Sequence, residues 1–159
     1  MIPKIRLYSA GENASADEEN FYAGRSVLRS QILAMSSLRD VDPASTAKAL
    51  RPRDAGVLWS IVQPDGLDLA LRARDYPNPR TAMRDVRRIL SRVGELRHEF
   101  AQSTADGRLS WWISLDGEVV LVGGRPRSAN RQAELNREVR SVRRALARLA
   151  ELQAARQRK

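Results

Sequence analysis

The residues best suited to chemistry in this sequence are arginines that recur at helical spacing in two separate stretches. Steps of three and four residues predict that each set lines one face of a helix. The planar guanidinium group can donate two parallel hydrogen bonds to the oxygens of one phosphate, so the expected contacts are to a nucleic-acid backbone and are independent of sequence. The two sets are Arg80, Arg84, Arg87 and Arg88, and Arg137, Arg140, Arg144 and Arg148.

The net charge agrees with a polyanionic partner. The 159 residues include 28 lysines and arginines against 19 aspartates and glutamates, which gives a formal net charge of +9. A surplus of this size favours nucleic acid or an acidic protein surface. Two plainer explanations stay open, because a GC-rich genome enriches arginine and because an amphipathic helix needs a charged outer face whatever it binds.

No group of residues has the spacing of a catalytic or metal site. His98 is the one histidine, cysteine is absent, and no nucleophile motif or carboxylate pair stands out. Catalysis needs such groups within reach of one another, so we expect a non-catalytic binding module without cofactor or metal. No apolar run is long enough for a signal peptide or a membrane span. We therefore expect a cytoplasmic protein with no membrane partner.

The first arginine set is predicted to lie on a helix that follows a β-hairpin. Alternating apolar residues on both sides of Asp65-Gly66 are typical of two strands joined by a tight turn. Asn78 is a good N-cap, and Pro79 is favoured at the first helical position. The alternating strand positions and the helical stripe are Val57, Trp59, Ile61, Leu67, Leu69, Leu71, Ala82, Val86, Ile89, Leu90 and Val93.

The same order of features recurs downstream and carries the second arginine set. A strand with Leu109 in the place of Val57 follows at a shift of 52 residues (109 minus 57), and Asp116-Gly117 offers a second turn. A helix beginning at Ser128 then carries an apolar stripe. The stripe consists of Leu135, Val139, Val142, Leu146 and Leu149. Such a period indicates pseudo-symmetric units, each unable to bury its apolar face alone.

A hairpin with a central aspartate-glycine turn, followed by a Tyr-led connection and a helix, resembles the YegP-like family, a small domain of unknown function often found as a tandem duplication. The matching residues are Trp59-Ser-Ile-Val, Asp65-Gly66, Leu69-Ala70-Leu71, Tyr76, Val86 and Ile89 in one unit, and Trp111-Trp-Ile-Ser, Asp116-Gly117, residues 120–123, Val139 and Val142 in the next. Arg127 stands where the first unit has Tyr76. The resemblance implies βββα units around a mainly antiparallel sheet, and it implies no reaction.

We therefore predict an α+β protein of tandem βββα-type repeats, with a mainly antiparallel sheet, helices packed on one face and a long C-terminal helix. Residues 56–94 form the central unit. Residues 95–159 form the second unit, which begins with a strand and ends in the extended helix. Residues 1–38 are predicted to be a degenerate copy made of strand and helix. Residues 39–55, which include two prolines and show little periodicity, are predicted to be a linker.

The start of the first helix has two alternatives. Ser15 and Glu18 have the spacing of a capping box, which would begin the helix there. Gly24 would then lie inside the helix, where glycine is unfavourable, so we favour a helix from Arg25 to Leu38.

Two adjacent tryptophans and the end of the C-terminal helix suggest a second type of partner. Trp111 and Trp112 point to opposite faces of their strand, so one fills the core and the other needs a cover or a partner. Leu149 and Leu152 extend past the point where the first unit's helix stops. Trp112, Leu149 and Leu152 are therefore candidate partner-binding residues. The alternative to a nucleic-acid or ribonucleoprotein-associated protein is an oligomeric or protein-interaction subunit that docks through this helix.

A basic loop leads into the C-terminal helix. Gly123-Gly124-Arg125-Pro126-Arg127 precedes a helix N-terminus, where backbone N–H groups can hold an anion. The loop lacks the P-loop and dinucleotide-binding patterns. The plainer interpretation is that the glycines let the chain turn tightly after the strand.

Overall fold

The computed structural model describes residues 2–10, 15–37, 56–123 and 125–158. The predicted linker, residues 39–55, lies outside the described residues. The strands are β1 (Lys4–Ser9), β2 (Ser36–Ser37), β3 (Val57–Val62), β4 (Asp68–Arg72), β5 (Arg97–Gln102), β6 (Leu109–Leu115) and β7 (Glu118–Val122). The α-helices are α1 (Ala16–Leu33), α2 (Pro79–Leu90) and α3 (Gln132–Gln157).

The strands form one sheet in the order β1-β3-β4-β7-β6-β5-β2, and every neighbouring pair is antiparallel. This confirms the predicted α+β class with an antiparallel sheet and a long C-terminal helix. Each hairpin has a third strand beside it, β1 next to β3 and β5 next to β6. In space, each half therefore consists of three strands and a helix: β1, β3, β4 and α2 in one half, and β5, β6, β7 and α3 in the other. β1 precedes α1 along the chain, so it is not continuous in sequence with the other strands of its half. The tandem repeat itself stays a prediction.

Both predicted turns are present, and glycine has a conformational reason in each. Asp116 and Gly117 have φ of 55° and 80°, the left-handed pair that a two-residue hairpin turn requires. Gly66 has φ of 90° in the β3–β4 turn, which the hydrogen bond from Gln63 N to Leu67 O closes at 2.9 Å. An aspartate-glycine pair therefore identified both hairpins from sequence alone.

The main core lies between one face of the sheet and the helices α2 and α3. Trp59 and Trp111 are fully buried there, next to Val86 of α2 and Val139 of α3. The odd-numbered positions of β3 and β6 all point to this side, as the alternation predicts. Asn78 caps α2 as expected, since its Oδ1 accepts a hydrogen bond from Thr81 N at 2.9 Å.

The opposite face of the sheet has its own cover. Ile32 and Leu33 of α1 pack with Trp112 and Val122 in a second apolar cluster. The prediction that the helices pack on one face thus holds for α2 and α3 and is wrong for α1. The physical reason is that Leu71, Trp112 and Val122 give the sheet a second apolar face, which needs a helix to cover it.

The preferred start of the first helix is wrong, and the rejected alternative is right. α1 begins at Ala16 with Ser15 as its N-cap, whose Oγ accepts a hydrogen bond from Glu18 N at 3.1 Å. Gly24 lies inside the helix with open space around its Cα. A good cap and three acidic residues in the first turn outweigh one unfavourable glycine.

α3 is the longest helix of the described residues, with 26 residues. It does not begin at Ser128 as predicted. A short 3-10 helix, Ala129–Arg131, comes first, and the Ser128 hydroxyl donates to Asn130 Oδ1 at 2.7 Å instead of capping α3. The last turns of α3 lie beside α2, where Gln153 Nε2 donates to the carbonyl of Arg87 at 3.0 Å.

Candidate nucleic-acid interface

The α2 arginine face consists of Arg80, Arg84, Arg87 and Arg88, all of which are exposed. Asp85 accepts a bond from the Arg88 guanidinium at 3.1 Å. Within the described part of the chain the other three form no ion pair. Three cations on this face are therefore free to meet an external anion.

The α3 arginine face consists of Arg137, Arg140, Arg144 and Arg148, which are exposed as well. Steps of three, four and four residues place them on one side of the helix. Arg148 pairs with Glu151 at 3.2 Å, an exposed contact that water screens. The first three have no ion-pair partner among the described residues. The two faces belong to helices that contact each other on the same side of the sheet.

A buried carboxylate holds α2 in the orientation that turns its arginines outwards. Asp85 is 6% exposed and accepts hydrogen bonds from Trp59 Nε1 at 2.8 Å and Arg72 Nε at 2.7 Å. Arg72 also donates to the carbonyl of Val120 and to the hydroxyl of Tyr76. Burial alone would raise the pKa of Asp85, but the hydrogen bonds and charge of Arg72 outweigh it, so the pKa lies below its ordinary value.

A similar arrangement holds the first half of α3. Glu138 accepts a hydrogen bond from Trp111 Nε1 at 3.1 Å and pairs with the guanidinium of Arg127. Arg127 also reaches Glu134 at 2.8 Å, and its bonds to Glu138 and Glu134 raise its pKa. In both halves a strand tryptophan donates to a helix carboxylate that an arginine neutralises. The sequence did not reveal this, because each bond joins residues that are far apart along the chain.

Trp112 is wrong as a partner-binding residue. Its side chain is completely buried beneath α1, in the second apolar cluster. The sequence showed that one of the two tryptophans needed a cover, and the cover is the chain's own first helix. Its indole Nε1 has no hydrogen-bond partner among the described residues.

The C-terminal leucines are less available to a second chain than predicted. Leu149 is half-buried and packs against the main core. Leu152 is also half-buried, one residue before the Gln153 side chain that bonds to α2. The extension of α3 therefore uses most of its apolar surface within its own chain.

A groove opens beside the short ladder that joins the two hairpins, and we call it the sheet groove. The β4–β7 ladder consists only of Leu71 opposite Val122 and Arg72 opposite Leu121. Beyond these pairs β4 and the segment after β7 separate around a cavity of about 1150 Å³. Its charged lining residues are Arg25, Asp68, Arg108, Arg125, Arg127, Arg131 and Glu138.

The described residues of the predicted basic loop, Gly123 and residues 125–127, form one wall of this groove. Gly123 is required there by packing, because a methyl group on its Cα would overlap the buried indole of Trp111. Arg127 turns back to pair with β6, exchanging backbone hydrogen bonds of 2.7 and 2.8 Å with Leu109. The sequence indicated a basic loop; that β4 and α1 lie across from it depends on the tertiary fold.

The single histidine lies on the surface and contacts neighbouring side chains. His98 is exposed, its Nδ1 accepts a bond from Arg143 Nε at 3.3 Å, and its ring packs edge-on to Phe100.

In the part of the chain that the structure describes, no helix is long and apolar enough to cross a membrane. The resemblance to the YegP-like family stays a prediction, since no protein-family model, no curated protein and no solved structure matches this chain.

Proposed function

We propose that this protein is a non-catalytic module that binds nucleic acid through the α2 and α3 arginine faces. The observation that carries the proposal is the state of these side chains. All eight are exposed, and within the described residues only Arg88 and Arg148 have carboxylate partners. Cations without internal partners on two contacting helices concentrate positive charge at one side of the molecule.

The chemistry of the contact is phosphate recognition by guanidinium groups. Arginine donors fit two phosphate oxygens at once, and such contacts position a protein without reading sequence. Each neutralised phosphate releases counterions, so the logarithm of the binding constant falls with the logarithm of salt by roughly 0.9 per phosphate on duplex DNA. Six cations without internal partners allow a slope of roughly −5 when most of them engage.

The internal ion pairs support binding rather than catalysis. Asp85 and Asp75 are held by Arg72 and Arg29, whose side chains are almost fully buried. Both carboxylates orient secondary-structure elements, and Asp85, with 4% of its side chain exposed, lacks the exposure that a general base needs to reach a substrate.

The alternative, an oligomeric or protein-interaction subunit that docks through the C-terminal helix, has weaker support. Leu149 packs on the chain's own core, and the last turns of α3 lie beside α2. Of the predicted set, only Leu152 is neither fully buried nor packed against the main core.

The test is binding of nuclease-treated protein to labelled single-stranded and duplex DNA and RNA across a salt series. Arg84→Glu with Arg144→Glu reverses one free cation on each face, and Arg125→Glu with Arg131→Glu changes the net charge equally at a different place. We expect the first pair to weaken binding by about 100-fold at low salt, and the second by less than about threefold, because the phosphate contacts are local.

Two results would contradict the proposal. One is the absence of binding at low salt by the unmodified protein. The other is equal loss of affinity in both double variants, which would mean that net charge alone, rather than the helix faces, attracts the nucleic acid.

A further inference from the structure

We propose that the sheet groove binds a short acidic segment of another protein in an extended conformation, as an added strand beside β4. This site is separate from the α2 and α3 arginine faces and does not depend on the function proposed for them. Three observations carry the inference: an open strand edge, a surplus of available cations, and an exposed leucine at the mouth of the same groove.

The open edge is the part of β4 before its contact with β7. Asp68 and Ala70 pair with β3 on one side, with Leu69 between them at a register shift, whereas no described strand lies on the other side, because the β4–β7 ladder begins at Leu71. The chain after β7 cannot fill this place, since the backbone of Arg127 is bonded to Leu109. Three residues of open edge span about 10 Å, and an extended peptide can add there through main-chain hydrogen bonds.

The charge of the groove favours binding of an acidic peptide segment. Five arginines line it against two carboxylates. Arg125 is exposed and has no ion pair within the described residues. Arg108 and Arg131 lie 3.6 and 3.9 Å from Asp106 and Glu134, which is too far for a hydrogen bond. These three side chains can turn to a guest carboxylate without breaking a buried pair.

The apolar lining selects the pattern of the guest. Leu67 is 65% exposed at the mouth of the groove, and Leu28 and Leu69 line it further in. Leu69 packs against the main core and Leu28 against the second cluster, so Leu67 is the apolar side chain that the groove leaves open. An acidic segment that also carries apolar residues can therefore pair with the arginines and cover Leu67. Single-stranded nucleic acid fits less well, because the described residues of the lining include no aromatic ring on which a base could stack.

The probe is a fluorescein-labelled peptide of four Glu-Val repeats, with binding followed by fluorescence anisotropy. One control peptide carries N-methyl groups on alternate amides, which removes strand hydrogen bonds at constant charge, and another has lysine in place of glutamate. We expect saturable binding of the first peptide. The loss should be at least about tenfold on N-methylation and nearly complete for the lysine peptide, because main-chain bonds and opposite charges both contribute.

Variants locate the site on the protein. Arg125→Glu with Arg131→Glu should weaken peptide binding by at least about tenfold, whereas Arg84→Glu with Arg144→Glu should change it by less than about twofold. Thermal unfolding of both variants checks that each is folded. The inference is overturned by no saturable binding, by equal effects of the two double variants, or by equal affinity for the N-methylated peptide. It is also overturned if the groove variant loses nucleic acid but not peptide, which would make nucleic acid the occupant.

Discussion

Replacing Asp85 with asparagine should remove a large part of the protein's stability. The substitution keeps the size of the side chain but removes its charge, so the guanidinium of Arg72, which is only 3% exposed, is left without a counter-ion. Removing one partner of a buried ion pair costs about 3–5 kcal/mol. Arg72 keeps its bonds to Val120 and Tyr76, so we expect about 3 kcal/mol, a large fraction of the roughly 5–15 kcal/mol of a typical domain.

The assay is urea unfolding followed by tryptophan fluorescence and circular dichroism. Asp116→Asn is the matched control, because Asp116 pairs with Arg92 at the surface with 63% of its side chain exposed. We expect the urea midpoint of this variant to be almost unchanged. Adding Arg72→Met to Asp85→Asn should recover part of the loss, since it removes the uncompensated charge. Equal midpoints for the Asp85 and Asp116 variants would refute the reasoning.

The pH dependence of the same variant gives an independent check. Because the folded-state pKa of Asp85 is lowered, its contribution to the free energy of unfolding is present above the unfolded value of about 4 and is lost as pH falls through the folded value. The stability gap between the unmodified protein and Asp85→Asn should therefore shrink as pH falls below about 4. If the difference in free energy of unfolding between the two proteins stays constant below about pH 4, the ionised carboxylate of Asp85 is not the cause of that difference.

The remaining predictions concern the titration of Tyr22 and the effect of a methyl group at Gly123 and Gly24. Burial, followed by its bond to Asp75, raises the pKa of Tyr22 to about 12, so stability should fall as pH rises from about 10 towards that value. Tyr22→Phe should abolish the latest-titrating tyrosinate absorbance, and its persistence would assign that pKa elsewhere. Gly123→Ala should destabilise the fold by about 1–3 kcal/mol because it overlaps the indole of Trp111. Gly24→Ala, in open space within α1, should stabilise the fold by roughly 1 kcal/mol. Both variants are compared by the midpoint of chemical unfolding. A higher midpoint for Gly123→Ala than for Gly24→Ala would contradict the packing at Trp111.

Features encoded within a few neighbouring residues could be predicted from the sequence. The turns at Asp65-Gly66 and Asp116-Gly117, the Asn78 cap and the alternation of β3 and β6 appear where expected. Each depends on local backbone preferences or on a short periodic pattern, which the sequence displays directly. The alternation predicted for Leu67, Leu69 and Leu71 is wrong, because Leu67 is exposed before β4 and Leu71 packs in the second cluster, on the opposite side of the sheet from Leu69. The start of α1 differs from the prediction because the gain from the Ser15 cap exceeds the penalty at Gly24, and both are local terms of similar size.

The candidate surfaces were predictable only in part. Helical spacing alone predicted the two arginine faces, since positions along one helix determine which side chains share a side. Whether those arginines have carboxylate partners depends on neighbouring elements, as the pairing of Arg88 with a buried Asp85 shows. The sheet groove was invisible as a site, because its walls come from α1, β4 and the segment after β7.

Sequence alone determined the two hairpins and the helix after each, the turn positions, the core-facing stripes of α2 and α3, and the excess of positive charge, whereas β2 lies within the stretch predicted as helix. Only the tertiary structure decided that α1 covers Trp112, that Asp85 and Glu138 bind strand tryptophans, and that β4 separates from the chain after β7. Local propensities act over a few residues and are written in order along the chain. The burial of Trp112 and the opening of the groove depend instead on which distant surfaces pack together, and that choice belongs to the whole fold.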